Sequence, residues 1–228
     1  MSTRVLVCAA TRAEHDACRR GIAASARPTD LELLLTGVGP LRAAHSLAAR
    51  LAHGHLPLPE LVVSSGFAGA LSPTLAIASW ITGIRVSEWN GLMRVPVEGV
   101  AIVEGPSDLE RCDVLSSTAI LTGISPAPPG STPLVVDMES AALAREAGRR
   151  GIAFSVVRLI SDTPSHPLPA FLSPLSSALS ATSTASRLTH ATRAVCRALV
   201  NPRAVARLMK ESATWLTELE LGWQRFAF

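Results

Sequence analysis

The sequence contains no tyrosine, and aromatic residues make up only 4% of its 228 positions. So few rings argue against a surface that stacks several nucleic-acid bases on aromatic side chains. Charged residues are also scarce, at 17%, and the net charge of +3 comes almost entirely from arginines scattered along predicted helices. No basic run is present, and we therefore expect no nucleic-acid partner.

Cysteine motifs and metal-ligand clusters are also missing. The cysteines lie far apart with no Cys-x-x-Cys pair, and we interpret Cys8, Cys18, Cys112 and Cys196 as reduced thiols. The histidines are dispersed, and the His53-x-His55 pair has no plausible third ligand nearby. We expect no metal and no cofactor. No segment approaches the roughly 20 apolar residues of a membrane span, and we expect a cytoplasmic protein.

Hydrophobic residues, at 48%, are arranged in strand-like runs that alternate with amphipathic helical patterns from the first residues onward. This order predicts one α/β domain over 1–228, with a central twisted mixed β-sheet flanked by helices. Residues 75–103 predict a meander or a partly antiparallel extension of the sheet. A short helix is predicted at 106–112 and a strand at 116–123. A Pro/Ser-rich loop or lid is expected over about 163–186, before a helical tail over about 187–228.

The tail has two interpretations. One helical face collects the apolar residues Val205, Leu208, Met209, Leu216, Leu219 and Trp223. A terminal helix packed on the sheet explains this pattern. The alternative is a surface helix that offers an apolar stripe, together with nearby basic residues, to a membrane or a greasy substrate.

Two glycine clusters follow predicted strands. Gly37 and Gly39 lie in TGVGP, and Gly66 and Gly69 lie in SSGFAGAL. Glycine after a parallel strand lets the backbone turn tightly and direct its amides at a ligand. Each cluster alone is explained equally well by a tight turn. Neither has the spacing of a dinucleotide fingerprint or a P-loop.

Acidic residues stand at the ends of three predicted strands. Glu14 follows the first strand, Glu139 falls in the first turn of a helix predicted to begin around Met138, and Asp162 ends the run IAFSVVRLISD. Each has a bland explanation, such as a helix-start acid or a turn residue. Arg158 is equally well explained as a core arginine capped by a buried acid. The convergence of the three acids on one sheet edge nevertheless favours a site.

Three carboxylates around glycine-rich turns suit cleavage of a bond to a sugar. Such a reaction develops positive charge on the sugar ring and needs a proton for the leaving group. A serine hydrolase is disfavoured because no Gly-x-Ser-x-Gly elbow occurs.

The motifs TGVGP, SSGFAGAL, VVDMESAAL and VVRLISD, in this order, resemble the nucleoside phosphorylase/nucleosidase superfamily. They are most similar to 5'-methylthioadenosine/S-adenosylhomocysteine nucleosidases, over roughly residues 4–165. The tail resembles a hopanoid-associated branch that removes adenine from adenosylhopane. The resemblance implies hydrolytic release of adenine from a 5'-substituted adenosine by a homo-oligomer, commonly a homodimer.

The resemblance also implies residue roles. Glu139 would grip both ribose hydroxyls, with Met138 against the sugar face. Asp162 would protonate ring nitrogen 7 of the purine, positioned by Ser161, and Glu14 would activate water. Gly37, Gly39, Gly66 and Gly69 would let the chain approach the sugar and the nucleophile closely. Ser65 and Phe67 are further substrate-binding candidates from the second cluster.

The sequence departs from the superfamily pattern in three places. The segment between Ile120 and Pro133 is short, which leaves Phe67, Trp80 and Phe154 as available aromatic residues for the base. Asp137 replaces a more common glutamate. Arg12 stands where nucleosidases often have an acid, and an arginine there could hold phosphate, which makes phosphorolysis the alternative reaction. A catalytically inactive nucleoside-binding module and a membrane-surface scaffold are the non-enzyme alternatives.

Overall fold

The computed structural model describes residues 3–25, 30–118, 130–169, 172 and 201–226. Within these residues the chain forms an α/β domain in which one eight-stranded mixed sheet is flanked by helices, as the sequence predicts. The strands are β1 (Arg4–Ala9), β2 (Asp30–Leu35), β3 (Leu61–Ala70), β4 (Trp80–Trp89), β5 (Arg94–Pro96), β6 (Glu110–Ser116), β7 (Leu134–Asp137) and β8 (Ala153–Asp162). The helices are α1 (Arg12–Ala24), α2 (Pro40–Ala52), α3 (Ser140–Arg149) and α4 (Pro202–Arg225).

Strand β3 pairs with three neighbouring strands, because it is ten residues long. Its first half pairs in parallel with β1, its last two residues pair with the antiparallel β7, and β8 runs parallel along nearly its whole length. Strand β8 also pairs with β4, which continues through β6 to β7. The pairings β3-β8-β4-β6-β7-β3 therefore close into a ring within the mixed sheet.

The antiparallel extension predicted for residues 75–103 is present in part. Strand β4 runs antiparallel to both β5 and β8, but residues 97–105 contribute only a single bridge, between Ile102 and Phe154. The helix predicted at 106–112 is wrong. Residues from Glu110 onward instead form β6, because pairing with β4 and β7 gives their backbone a complete ladder. Of the strand predicted at 116–123, Ser116 is the last residue of β6. Residues 119–123 lie outside the described residues.

Helix α4 is part of the core. Its buried face consists of Trp215, Leu219, Gly222 and Trp223, and the Trp223 indole donates a 2.9 Å hydrogen bond to Ser65 Oγ. Glycines allow its close packing, since a Cβ at Gly21 of α1 would lie 2.3 Å from the Glu220 carbonyl oxygen. This supports the packed interpretation of the tail. The inclusion of Met209 in the packed face is wrong, because that side chain is 69% exposed.

Several sequence predictions concern other parts of the chain. Cys8, Cys18 and Cys112 are buried free thiols, as predicted. Cys196, most of the loop predicted at 163–186 and the first part of the predicted tail lie outside the described residues. Among the described helices, none combines the length and apolar character needed to cross a membrane.

Candidate active site

Glu14 is held at the carboxyl end of β1 by the start of α1. Thr11 caps this helix, and the two residues form a reciprocal capping box. Glu14 Oε2 accepts hydrogen bonds from the Thr11 backbone N–H at 2.8 Å and from its hydroxyl at 2.7 Å. Glu14 Oε1 faces the other way and accepts a 3.2 Å hydrogen bond from the Phe67 N–H of β3. One oxygen of Glu14 therefore belongs to the start of α1, while the second reaches the sheet.

Gly66 is the point of closest approach to this carboxylate. A Cβ at this position would lie 2.4 Å from Glu14 Oε1 and 2.9 Å from Arg158 Nη1, and the residue has φ +139°. Any side chain would therefore displace the acid, the arginine or the strand itself. Glycine here lets a carboxylate and a guanidinium stand against the same stretch of backbone.

Glu139 is the N-cap residue of α3, which begins at Ser140, two residues after the start predicted around Met138. Its side chain makes no cap bond. Instead, Oε1 accepts a 2.9 Å hydrogen bond from the N–H of Gly39, whose φ of +92° suits glycine at the start of α2. Burial raises the pKa of Glu139 to about 7, helped by the nearby carboxylate of Asp137 and opposed by Arg158 and the Gly39 hydrogen bond.

Arg158 joins the strand ends from inside the sheet. Its fully buried guanidinium donates to Asp137 Oδ2 through Nη2 at 2.6 Å and through Nε at 3.2 Å, and to Ser64 Oγ at 2.7 Å. Sequence reasoning left Arg158 without a partner. The acid that caps it is Asp137, whose own side chain is also inaccessible to solvent.

Asp162 ends β8 beside Gly69 of β3. A Cβ at Gly69 would lie 2.8 Å from Asp162 Oδ2, so this glycine makes room for the carboxyl group. Ser161 Oγ donates a 2.7 Å hydrogen bond to Asp162 Oδ1. Burial raises the pKa of Asp162, while the Ser161 hydrogen bond and the charge of His166 lower it to a smaller extent. The net direction is the one that a general acid requires.

Two of the three acids stand against the same strand, β3. Glu14 stands at Gly66 and Phe67, and Asp162 stands at Gly69, three residues further along β3, which corresponds to about 10 Å. Glu139 accepts a hydrogen bond from Gly39 of the other glycine cluster, and the charges of Asp137, Arg158 and Glu14 act on it. Each of the three acids therefore stands at a residue of one of the two glycine clusters.

Other predicted site residues are less central. Ser65 points away from the acids, because its hydroxyl contacts Cys18 and Trp223 in the core. Gly37 has φ +82° in the turn before α2, and Met138 is half-buried before α3. Arg12 is exposed at the first position of α1.

Of the aromatic residues considered for the base, two are in the core. Phe154 is fully buried, and Trp80 packs edge-on against Phe226 with ring centroids 4.7 Å apart. Phe67 is half-buried and contacts Trp215 at 6.1 Å between ring centroids. Its own backbone N–H donates the hydrogen bond to Glu14, so this aromatic residue lies beside one of the acids.

Sequence reasoning missed four hydroxyl residues, Thr11, Ser64, Ser116 and Ser140, that hold the charged groups. The capping-box pattern Thr-x-x-Glu could have identified Thr11. Nothing in the sequence connects Ser64 with Ser140, 76 positions away, whose hydroxyls lie 3.1 Å apart. No group of three or more potential metal ligands occurs in the part of the chain that the structure describes.

Comparison with known proteins identifies the fold that this chain adopts. No family model matches the sequence, and no curated protein matches it. Among solved structures, a 5'-methylthioadenosine/S-adenosylhomocysteine nucleosidase from Helicobacter pylori with butyl-thio-DADMe-Immucillin-A matches at 14% identity and a TM-score of 0.53. The match covers 86% of this chain and 98% of that one. The chain has the nucleoside phosphorylase/nucleosidase fold.

Two further matches have the same nucleosidase-like fold. A futalosine hydrolase mutant of H. pylori matches at 13% identity and a TM-score of 0.51, covering 71% of this chain and 91% of that one. A Chlamydia trachomatis nucleosidase bound to MTA matches at 17% identity and a TM-score of 0.51, covering 72% and 83%. The resemblance that the sequence motifs indicated is confirmed for the fold.

Proposed function

We propose that this protein hydrolyses the N-glycosidic bond of a 5'-substituted adenosine and releases adenine. The observation that carries the proposal is that each acid stands at a glycine cluster, Glu14 and Asp162 at the glycine-containing half of β3 and Glu139 at Gly39. The similarity to nucleosidase structures supports it. Each acid has a role that follows from its surroundings.

Glu139 is suited to binding the sugar. Its Oε1 is fixed by the Gly39 N–H, which leaves Oε2 and the second lone pair of Oε1 for the adjacent 2' and 3' hydroxyls of ribose. An ionised carboxylate accepts both hydroxyl protons in charge-assisted hydrogen bonds. Because the pKa of Glu139 is raised to about 7, we expect sugar binding to improve as pH rises through neutrality.

Asp162 is suited to protonating the base. Its burial raises its pKa and so favours the neutral carboxyl group, and Ser161 orients one oxygen. Proton transfer to nitrogen 7 of the purine lets the base depart as a neutral molecule when the C1'–N9 bond breaks. Positioned general acids contribute rate factors of about 10² to 10⁴.

Glu14 is suited to accepting the proton of the attacking water. As water oxygen bonds to C1', one water proton passes to Glu14, while Asp162 has given its proton to the base. The products are adenine and the 5'-substituted ribose, and the two carboxyl groups exchange protons with solvent before the next cycle. Carboxylates near C1' stabilise the positive charge that develops on the ribosyl ring.

Water is favoured over phosphate because Glu14 already takes the backbone donors that an anion would need. The N–H groups of Thr11 and Phe67 both point at its carboxylate. A phosphate in this position would meet a negative charge in place of free amides. Phosphorolysis stays the alternative reaction, through the exposed Arg12 next to Thr11.

The substituent on the 5' carbon is proposed to be apolar, in the extreme a hopanoid-like lipid. Leu35 and Leu41 flank the Gly37–Gly39 turn, and they are 40% and 67% exposed. The tail gives this proposal less support than the sequence suggested, since Trp215 and Leu219 are packed in the core. Homo-oligomer formation and peripheral membrane contact are proposed on the resemblance alone.

The test is adenine release from methylthioadenosine, S-adenosylhomocysteine, adenosine and a 5'-lipid adenosine, each with and without phosphate. We expect release without phosphate, lowered about 100-fold or more in Asp162→Asn and about 10- to 100-fold in Glu139→Gln. Glu104→Gln is the control, because that exposed acid only pairs with Arg111 on the surface. A strict phosphate requirement would establish phosphorolysis, and adenosine binding without any release would establish an inactive binding module.

A further inference from the structure

Asp137 is a buried carboxylate for which the proposed reaction has no task. Its side chain is fully inaccessible, and it ends β7 two positions before Glu139. Arg158 donates to it through two nitrogens, Ser116 Oγ donates at 2.5 Å, and Ser140 donates through both its N–H and its hydroxyl. Five donors fill the four lone-pair sites of a carboxylate, so none is left for a substrate hydroxyl.

The start of α3 depends on these contacts. The first N–H groups of a helix need acceptors from outside it, and the N-cap side chain normally supplies one. Glu139 occupies the N-cap position and supplies none. Asp137 accepts the Ser140 N–H at 3.3 Å, and Ser116 Oγ accepts the Ala141 N–H at 2.8 Å. Because other groups cap the helix, the Glu139 carboxylate is free to turn toward Gly39.

The second connection runs through Arg158. One edge of its guanidinium is fixed by Asp137 and Ser64, and the remaining nitrogen, Nη1, stands against Gly66 beside Glu14 Oε1. Because the guanidinium is planar and rigid, hydrogen bonds that fix Nε and Nη2 also fix the position of Nη1. The place of the positive charge next to Glu14 is therefore set by the carboxylate on the opposite edge.

We propose, resting on the proposed nucleosidase function, that Asp137 is a positioning residue that holds both the sugar-binding acid Glu139 and the guanidinium beside Glu14 without touching the substrate. It does so through a chain of buried hydrogen bonds in which Ser116 and Ser140 are the links to α3. Such second-layer contacts keep reacting groups within the small tolerance that catalysis allows.

The role has an electrostatic signature as well as a geometric one. The charged groups that act on Glu139 are Asp137, Arg158 and Glu14, and Asp137 is the largest source of repulsion among them. Replacing Asp137 by the neutral asparagine lowers the pKa of Glu139. The acid limb of the pH dependence of kcat/KM then moves to lower pH, which loss of packing alone would not cause.

The experiment measures kcat/KM between pH 5 and 9 for Asp137→Asn, Ser116→Ala and Ser140→Ala. We expect about 100-fold lower values for Asp137→Asn, in line with a displacement of about 1 Å, together with the shifted acid limb. The serine variants keep the Asp137 charge and are expected to lose rate while the acid limb stays in place. They also test the proposal if Asp137→Asn does not fold.

The control is Ser155→Ala. Ser155 is fully buried on β8, like Arg158, and its hydroxyl finds no hydrogen-bond partner among the described residues. Its removal should leave the rate and the pH profile unchanged. Wild-type rates in Asp137→Asn, or in both Ser116→Ala and Ser140→Ala, would overturn the proposal.

A second measurement needs no turnover and separates this proposal from the proposed function. The free energy of unfolding is measured with and without Glu139→Gln, at pH 5 and 8, in the wild-type, Asp137→Asn, Ser140→Ala and Ser155→Ala backgrounds. We expect the pH-dependent effect of Glu139→Gln to shrink in the Asp137→Asn background and to stay as in the wild type in the Ser140→Ala and Ser155→Ala backgrounds, because both serine variants keep the Asp137 charge. An unchanged effect in the Asp137→Asn background would contradict the proposal, even if no nucleoside proves to be a substrate.

Discussion

Replacement of Glu139 by glutamine should make the protein more stable and less active at the same time. Burial and the Asp137 charge raise the pKa of Glu139 from 4.5 to about 7 in the folded protein. Between these values the folded state binds a proton that the unfolded state has released, so stability falls as pH rises. The full cost of the buried charge, about 3 kcal/mol, is present above pH 7 and absent below pH 4.5.

Glutamine keeps the shape of the side chain and its acceptor for the Gly39 N–H, but it does not ionise. The variant should therefore exceed the wild type in free energy of unfolding by about 3 kcal/mol at pH 8, and by less than about 1 kcal/mol at pH 5. Adenine release should fall about 10- to 100-fold, because charged hydrogen bonds to the ribose hydroxyls are lost.

The assay is urea unfolding followed by tryptophan fluorescence at four pH values, with Glu104→Gln as the control. Glu104 lies on the surface, where an ion pair contributes little, and its replacement should give a small difference that does not grow with pH. A glutamine variant that is less stable at pH 8, or a difference independent of pH, would refute the reasoning.

Other predictions concern the two glycines beside the acids and the histidine near Asp162. Gly69→Ala should lower kcat about 100-fold, because its Cβ would lie 2.8 Å from Asp162 Oδ2 and displace the carboxyl group. Gly66→Ala should reduce both activity and stability, the latter by about 1–3 kcal/mol for the positive φ alone. Gly54→Ala, which meets nothing within 4 Å, should change neither, and wild-type kinetics in both site variants would contradict the close approaches. His166→Gln should move the alkaline limb of kcat to higher pH, because the histidine charge lowers the pKa of Asp162; an unmoved limb would argue against that coupling.

The superfamily-like motifs in the sequence were sufficient to predict the fold class and the acids at the strand ends. Alternating apolar strands and helices follow from local periodicity, and Asp162 beside Ser161 follows from where a buried run stops. The capping box at Thr11 and Glu14 is likewise a local pattern. These features depend on residues a few positions apart, and a single sequence displays them directly.

Only the tertiary structure decided which residues, distant in the sequence, become the hydrogen-bond partners of the charged groups. Arg158 and Asp137 are 21 positions apart, and Ser64 is 94 positions from Arg158, yet all three form one buried network. Ring closure through β3 likewise depends on strand pairings that no local pattern encodes. The raised pKa of Glu139 depends on the same folding, because desolvation and charge proximity exist only after distant segments pack together. The sequence by itself determined which groups are available for chemistry, and the tertiary structure decided their partners and their protonation.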